Sequence, residues 1–105
     1  MNWHTRQEKK IIRRHGGKPL QKYGYDGLIR GRPVEVRAVR KDRRFRIQQN
    51  VHQVLLARQG SYIFVNQQGR SRRVAAKKVS QKLGRGRWFK DRNYPHKFLY
   101  VRQVF

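Results

Sequence analysis

The chain has 105 residues, and its 28 lysines and arginines against 5 acids give a formal net charge of +23. A charge this high repels itself, so it points to a polyanionic partner, with nucleic acid ahead of an anionic membrane surface. Without cysteine, disulfides and cysteine-based zinc sites are excluded, and no apolar run is long enough to span a bilayer. We expect a single nucleic-acid-binding domain, residues 1–105, in the cytoplasm and associated with the nucleoid.

The N-terminal third predicts one helix followed by two strands. The helix lies within residues 1–17 and ends at a pair of glycines. Thr5 and Glu8 have the spacing of a capping box, so Glu8 is either a helix cap on a solvated face or a site residue. A first strand is predicted over residues 18–29, and a second strand runs from 33 to 39.

The segment 25–37 reads as a β-hairpin whose turn is Arg-Gly-Arg at residues 30–32. Side chains alternate along a strand, so Glu35 and Arg37 share one face of the second strand. Asp26 lies where the first strand passes opposite Glu35. Two carboxylates and a cation therefore converge on one side of the hairpin, an arrangement that suits divalent-metal and phosphate chemistry.

The remaining elements follow from periodicity and turn residues. Apolar and charged residues alternate over 44–48, which predicts a third antiparallel strand that completes a meander. A helix over 49–58 and a buried strand over 61–65 come next. A second helix is predicted over 72–83, with a long basic face, and a last strand over 98–105. The order α-β-β-β-α-β-α-β predicts an α/β domain with a mixed sheet and helices on its faces.

Basic side chains on the turns, the third strand, the second helix and a later loop are candidate phosphate contacts, although a basic face is often only solvated. His52 is either a surface or half-buried histidine or a phosphate or water contact near the site. Trp88 either anchors its loop to the core or stacks on a base. The candidate nucleic-acid contacts are Arg30, Arg32, Arg40, Lys41, Arg43, Arg44, Arg46, Arg72, Arg73, Lys77, Lys78, Arg85 and Arg87.

This order and these acids resemble the PD-(D/E)XK nuclease superfamily, and within it the small archaeal Holliday-junction resolvases. Glu8 stands where that family has a glutamate on its first helix. Tyr25-Asp26-Gly27 stands at its Pro-Asp pair, and Glu35-Val36-Arg37 stands at its Glu-x-Lys motif. The resemblance covers about the first two-thirds of the chain. Three of the five acids fall at the family's acidic positions.

The resemblance implies a restriction-endonuclease-like core and a metal-dependent endonuclease acting on DNA, selective for a junction, flap or end. Asp26, Glu35 and the carbonyl of Val36 would bind Mg²⁺ or Mn²⁺. The catalytic set would be Asp26, Glu35, Arg37 and Glu8, with Glu8 in an outer or bridging place. Junction cleavage would call for a homodimer, for which the apolar edge over 98–105 is the candidate interface.

The arginine at position 37 departs from the family lysine. Arginine stays charged and cannot act as a base, although it can stabilise charge on a phosphorane. Arg37 therefore either preserves a modified activity or marks a protein that binds nucleic acid without cutting it. A third alternative is that Lys22 or Lys41 occupies the place of the family lysine in the folded protein. The alternative function is a non-catalytic basic nucleic-acid-binding protein, either on a degenerate nuclease scaffold or associated with the ribosome or chromatin.

Overall fold

The computed structural model describes residues 3–22, 25–90 and 94–105, and of these the side chains except at 3–5 and 21–22. Within these residues the chain forms helices and strands in two sheets. The elements are α1 (Trp3–Arg14), β1 (Lys18–Lys22), β2 (Tyr25–Ile29), β3 (Arg32–Ala38), β4 (Arg44–Gln48), α2 (Gln49–Ala57), β5 (Ser61–Val65), β6 (Ser71–Ala75), α3 (Ala76–Leu83), β7 (Phe89–Lys90), β8 (Pro95–Tyr100) and α4 (Val101–Val104).

The larger sheet has five strands in the order β1-β2-β3-β5-β6. Only β3 and β5 run parallel among its described pairs, so the sheet is mixed, as predicted. The three central residues of β5, Tyr62 to Phe64, are fully buried, which confirms the predicted buried strand. The predicted strand over 18–29 is instead two antiparallel strands, β1 and β2, with Lys22 opposite Tyr25. Residues 23 and 24 lie outside the described part of the chain.

One face of this sheet packs against α1. Ile12 is fully buried there, in a cluster with Ile29, Val34 and Ile63. Gly27 leaves room for Ile12, because a Cβ at position 27 would lie 3.0 Å from the Ile12 Cδ1 and 2.6 Å from the Lys18 carbonyl oxygen. The opposite face of the sheet contributes Tyr62 and other residues to a larger core shared with the second sheet, α2 and α3. The two clusters fix α1 and the hairpin relative to each other.

We expect Ile12→Ala to lower the free energy of unfolding by about 2–5 kcal/mol, the usual cost of removing a fully buried branched side chain. The loss arises because the cavity would lie between α1 and the sheet, where Ile12 packs against Ile29, Val34 and Ile63. Urea denaturation followed by circular dichroism measures it. Leu56→Ala is the matched control, because Leu56 is 40% exposed and its truncation should cost no more than about 0.5 kcal/mol. Equal costs for the two variants would contradict the packing described here.

The second sheet has the order β4-β8-β7. The predicted meander of β4 with the hairpin is therefore wrong, because β4 pairs antiparallel with β8 and not with β3, from Arg44 opposite Tyr100 to Gln48 opposite His96. Alternation along β4 correctly placed Phe45 and Ile47 on its buried face. It could not identify a partner strand fifty residues away.

Two predicted elements of the C-terminal third also need correction. Residues 71–75 form β6 on the edge of the larger sheet, so α3 begins at Ala76 and not at Arg72. The last strand ends at Tyr100, and residues 101–104 are helical. One edge of β8 is paired with β4 over residues 96–100. The candidate dimer interface, a single apolar strand edge over 98–105, therefore does not exist as predicted.

Candidate active site

The hairpin of β2 and β3 brings the side chains of Asp26 and Glu35 into contact. The register pairs Gly27 with Val34 and Ile29 with Arg32, and Asp26 and Glu35 each lie one residue beyond the last recorded pair. The turn is Arg30-Gly31, with positive φ at both residues (52° and 76°), which matches the twist of a two-residue hairpin. The Val36 N–H donates to the Asp26 Oδ2 at 2.8 Å, so the carboxylate is held from the neighbouring strand.

Glu35 is the most buried acid of the site, with 7% of its surface exposed. Burial raises the pKa of Glu35 to about 9, and the hydrogen bond to Asp26 and the charge of Asp26 act in the same direction. Two carboxyl groups this close repel each other when both are negatively charged, so burial and Asp26 together favour the neutral form of Glu35.

Arg37 is the cation nearest to this pair. Its Nη2 lies 3.9 Å from the Glu35 Oε2, which is too long for a hydrogen bond, so its pull on the Glu35 pKa is weaker than the effect of burial. The Arg37 Nε is buried and has no hydrogen-bond partner among the described residues. An unsatisfied buried donor is costly, and a phosphate oxygen would satisfy it.

Glu8 interacts electrostatically with Asp26 and Arg37. Its pKa is raised to about 7, first by burial and then by the charge of Asp26, while Arg37 opposes the shift. The capping-box interpretation of Glu8 is wrong, because α1 begins at Trp3 and Thr5 lies inside the helix. Helix α1 thus brings a third acid towards the hairpin, as the sequence predicted.

The stability of the metal-free protein should fall as the pH rises from about 5 to about 9. Between the ordinary pKa of Glu35 (4.5) and its folded value (about 9), the folded protein retains a proton that the unfolded chain has released, so a higher pH favours unfolding. Thermal midpoints in EDTA measure this. Glu35→Gln should flatten the slope, whereas Asp42→Asn should not, because Arg44 lowers the pKa of Asp42 and moves its effect to acidic pH. An unchanged slope in Glu35→Gln would contradict the assignment.

A cleft of about 680 Å³ lies between α1 and the carboxyl ends of β3 and β5. Glu8 and Val36 line it from the site, and Arg14, Arg40 and Lys41 line it with positive charge. Lys41, one of the two lysines considered as a substitute for the family lysine, lines the same cleft as Glu8, whereas the side chain of Lys22 lies outside the described residues. Arg14 was not predicted, and it lies three positions after Ile11, which lines the cleft from the same helix.

The other predicted nucleic-acid contacts fall into separate groups. Arg30, Arg32 and Arg73 line one cavity beside the hairpin turn. A second cavity, of about 470 Å³, is lined by Arg72, Arg73 and Lys78, by Lys82 from the basic face of the same predicted helix, and by Arg102, which was not predicted. Lys77, Arg85 and Arg87 are exposed on α3 and in the loop that follows it, and Arg43 is exposed before β4.

Three predicted contacts are already engaged within the protein. The Arg44 Nη2 donates to the Asp42 Oδ2 at 2.6 Å, and the Arg44 guanidinium lies 4.0 Å from the Phe98 ring centroid. The Arg72 Nη1 donates to the Val104 carbonyl at 2.9 Å. Arg46 is half-buried on β4. Arg44 is therefore a weaker phosphate ligand than the sequence implied, because a carboxylate already neutralises its charge.

A hydrogen-bonded chain of Tyr62, His52 and Ser80 lies on the same face of the sheet as Glu35, and of its members only His52 was considered from the sequence. Tyr62 on β5 is the register partner of Glu35 on β3, so both side chains leave the sheet on the same face. The Tyr62 hydroxyl lies 3.0 Å from the His52 Nδ1, and the Ser80 Oγ lies 2.6 Å from the His52 Nε2. His52 is therefore buried and hydrogen-bonded. Trp88 packs against the larger core and lies 5.8 Å from the His52 ring, which favours the anchoring interpretation.

The donor atoms of the hairpin fit a small divalent cation. No group of three or more His, Asp or Glu side chains is placed to hold a metal ion in the part of the chain that the structure describes. Mg²⁺ commonly takes only one or two protein carboxylates and completes its shell with water and substrate phosphate. Asp26 and Glu35 are the two carboxylates that the hairpin offers such a cation, and a cation between them would relieve the repulsion that raises the pKa of Glu35.

A paired-carboxylate hairpin in a mixed sheet, with a helix carrying a third acid and an adjacent basic cleft, is the arrangement of a nuclease domain. The family model described as the PD-(D/E)XK nuclease superfamily domain matches residues 2–100. The chain belongs to this superfamily, and its restriction-endonuclease-like α/β fold is confirmed. Neither a curated protein nor a solved structure matches the chain, and the likeness to archaeal Holliday-junction resolvases stays a prediction. PD-(D/E)XK nucleases typically use divalent metals.

The structure adds one observation on membranes. Among the described residues, no helix has the length and apolar character needed to cross a bilayer.

Proposed function

We propose that residues 1–105 act as one metal-dependent endonuclease domain on DNA and that the enzyme selects its substrate by structure, such as a junction, flap or end. The observation that supports this most directly is the contact of the buried Glu35 with the half-buried Asp26 beside a buried arginine donor. A solvated ion pair would not explain it, because such a pair contributes only about 0–1 kcal/mol and gives no reason to bury Glu35.

In this proposal Asp26, Glu35 and the Val36 carbonyl hold Mg²⁺ or Mn²⁺, and Glu8 contributes from the outer shell or as a bridge. The cation, when bound, activates water and neutralises charge on the scissile phosphate. Arg37 stabilises the negative charge that develops on the phosphate, for which its unpartnered Nε is available. Glu8, with its pKa about 7, is placed to exchange a proton near neutral pH.

The basic cleft and cavities supply affinity that does not depend on sequence. Arg14, Arg40 and Lys41 flank the site, and the exposed cations of the hairpin turn, β6 and α3 extend the basic surface. Recognition by shape follows because contacts to phosphates fix position but do not read bases. Action as a dimer and an association with the nucleoid are part of the same proposal.

The experiment that tests the proposal is cleavage of labelled four-way junction, flap, single-stranded and duplex DNA in Mg²⁺, Mn²⁺ or EDTA, with matched RNA substrates. We expect cutting in either metal, none in EDTA, and a preference for branched DNA. Tight, salt-sensitive binding without cutting in either metal would favour the second candidate, a non-catalytic nucleic-acid-binding protein. The observation in favour of that candidate is the arginine at position 37, which cannot serve as a base.

A further inference from the structure

Lys97 on β8 is a buried ammonium group with few partners. It is 7% exposed, its Nζ donates to the Gly84 carbonyl at 3.2 Å, and the same atom lies 5.0 Å from the Trp88 ring centroid. A lysine carries three N–H donors, and among the described residues one hydrogen-bond acceptor is found for them. Both ion pairs among the described residues involve arginines. Because burying a cation is costly and no described acid pairs with Lys97, an anion at this position would stabilise it.

Lys97 opens onto a cavity of about 270 Å³ between α2 and α3. The described side chains that line it carry no acid. Three neutral groups add hydrogen-bonding capacity, the amides of Gln49 and Gln53 and the hydroxyl of Ser80. His52 also lines the cavity, and burial and the charge of Lys97 lower its pKa, which favours the neutral ring. The cavity thus combines one positive charge with neutral polar groups, and this chemistry is that of an anion site.

We propose that this cavity binds a phosphate group of a nucleic-acid strand, with Lys97 as its charged ligand and Trp88 as its wall. The choice of a strand rests on the proposed function, in which nucleic acid is the substrate. It also rests on Arg85 and Arg87, two exposed cations in the short segment between Gly84 and Trp88. Those arginines are placed to engage neighbouring phosphates of the strand that enters the cavity.

The cavity adjoins the carboxylate pair through two side chains. His52 lines the cavity and is hydrogen-bonded to Tyr62, which is the register partner of Glu35. A phosphate held at Lys97 therefore lies on the same side of the larger sheet as Glu35 and Arg37. The site would hold a part of the strand away from the scissile bond and so contribute to the selection of substrate structure.

Trp88 provides a direct reporter of this site. The chain has only two tryptophans, so Trp3→Phe leaves Trp88 as the sole indole. In that background we would titrate a 5′-phosphorylated oligothymidylate, and separately inorganic phosphate, at constant ionic strength. The oligonucleotide should change the Trp88 fluorescence. Lys97→Met should abolish this change and reduce the log–log salt slope of binding by about 0.7, the value for one phosphate of a single strand.

The controls separate this site from the rest of the protein. Lys10→Met removes an exposed lysine of α1 that lines none of the cavities described, so it should leave the Trp88 response intact. Lys97→Gln is a second neutral variant for the case in which Lys97→Met does not fold, and Lys97→Arg should retain the response. A persistent Trp88 response in both neutral variants, or no response to either probe, would overturn the proposal. Saturation by inorganic phosphate with no response to the oligonucleotide would overturn its assignment to a strand.

Failure of this proposal and failure of the nuclease proposal give different results. Glu35→Gln should remove cleavage while the Trp88 response to the oligonucleotide remains. Loss of that response in Glu35→Gln would contradict a separate phosphate site. If the wild-type protein did not cleave DNA but kept a Trp88 response that depends on Lys97, the nuclease proposal would be overturned and the phosphate site would be supported.

Discussion

Glu35→Gln should lower metal-dependent DNA cleavage by roughly a hundredfold or more, on the order of the 10²–10³ lost when a single preorganised electrostatic group is removed. The amide is isosteric with the protonated carboxyl and can still donate to Asp26, so the fold should be retained. It cannot become an anion, so the hairpin loses half of its negative ligands. Single-turnover cleavage of a branched DNA in Mg²⁺ measures the effect.

The same variant should lose the specific binding of Mn²⁺, which titration calorimetry measures without any reaction. Asp42→Asn is the matched control, because Asp42 is an exposed acid paired with Arg44 and takes no part in the site. It should bind Mn²⁺ and cleave like the wild-type protein. If Glu35→Gln retained both full cleavage and the Mn²⁺ site, the metal would have to be held elsewhere.

Arg37→Met should reduce single-turnover cleavage by roughly 10²–10³-fold and change DNA affinity far less. The reason is that the buried Nε and the rest of the guanidinium lie beside the carboxylate pair, where charge develops on the phosphate during reaction. Arg37→Lys should retain activity at or above the wild-type level, because lysine keeps the charge and is the residue that the family motif has at this position. Measuring the single-turnover rate and the Kd separately distinguishes chemistry from binding.

A control for the loss of one positive charge is Arg13→Met. Arg13 is exposed in the last turn of α1 and lines none of the cavities described, so its removal should change only the salt dependence of binding. If Arg37→Met cleaved as fast as the wild-type protein, Arg37 would have no role in the chemistry. If neither the wild-type protein nor Arg37→Lys cleaved, the domain would bind without cutting.

The site was more predictable than the architecture that surrounds it. Asp26 and Glu35 are joined by a two-residue turn, and alternation along two short strands is enough to place their side chains opposite each other. The position of Glu8 beside Asp26 depends on the packing of α1 and came from the family resemblance, not from local pattern. Tyr62 and His52 could not be found in this way, since their meeting depends on the docking of α2 against β5.

The errors lie where pairing over long distances overrides local propensity. Residues 71–75 carry exposed arginines and precede a good helical pattern, and they form a strand only because β5 pairs with them. Tyr100 ends β8 because the Val101 N–H bonds to the Arg43 carbonyl and the chain then turns into α4. Periodicity carries no information about such partners, so both boundaries were beyond its reach.

The two sheets also differ in when they can form during synthesis. Every strand of the larger sheet lies within residues 18–75, so the hairpin, β5 and β6 can pair as soon as that stretch has left the ribosome. The pairing of β4 waits for residues 96–100, which are made after the whole of the larger sheet. Until then Phe45 and Ile47, both fully buried in the finished protein, have no β8 to cover them. Before β8 is synthesised, the nascent chain therefore has a completed carboxylate hairpin and an apolar strand, β4, that lacks its partner. Aggregation is most favoured during this interval.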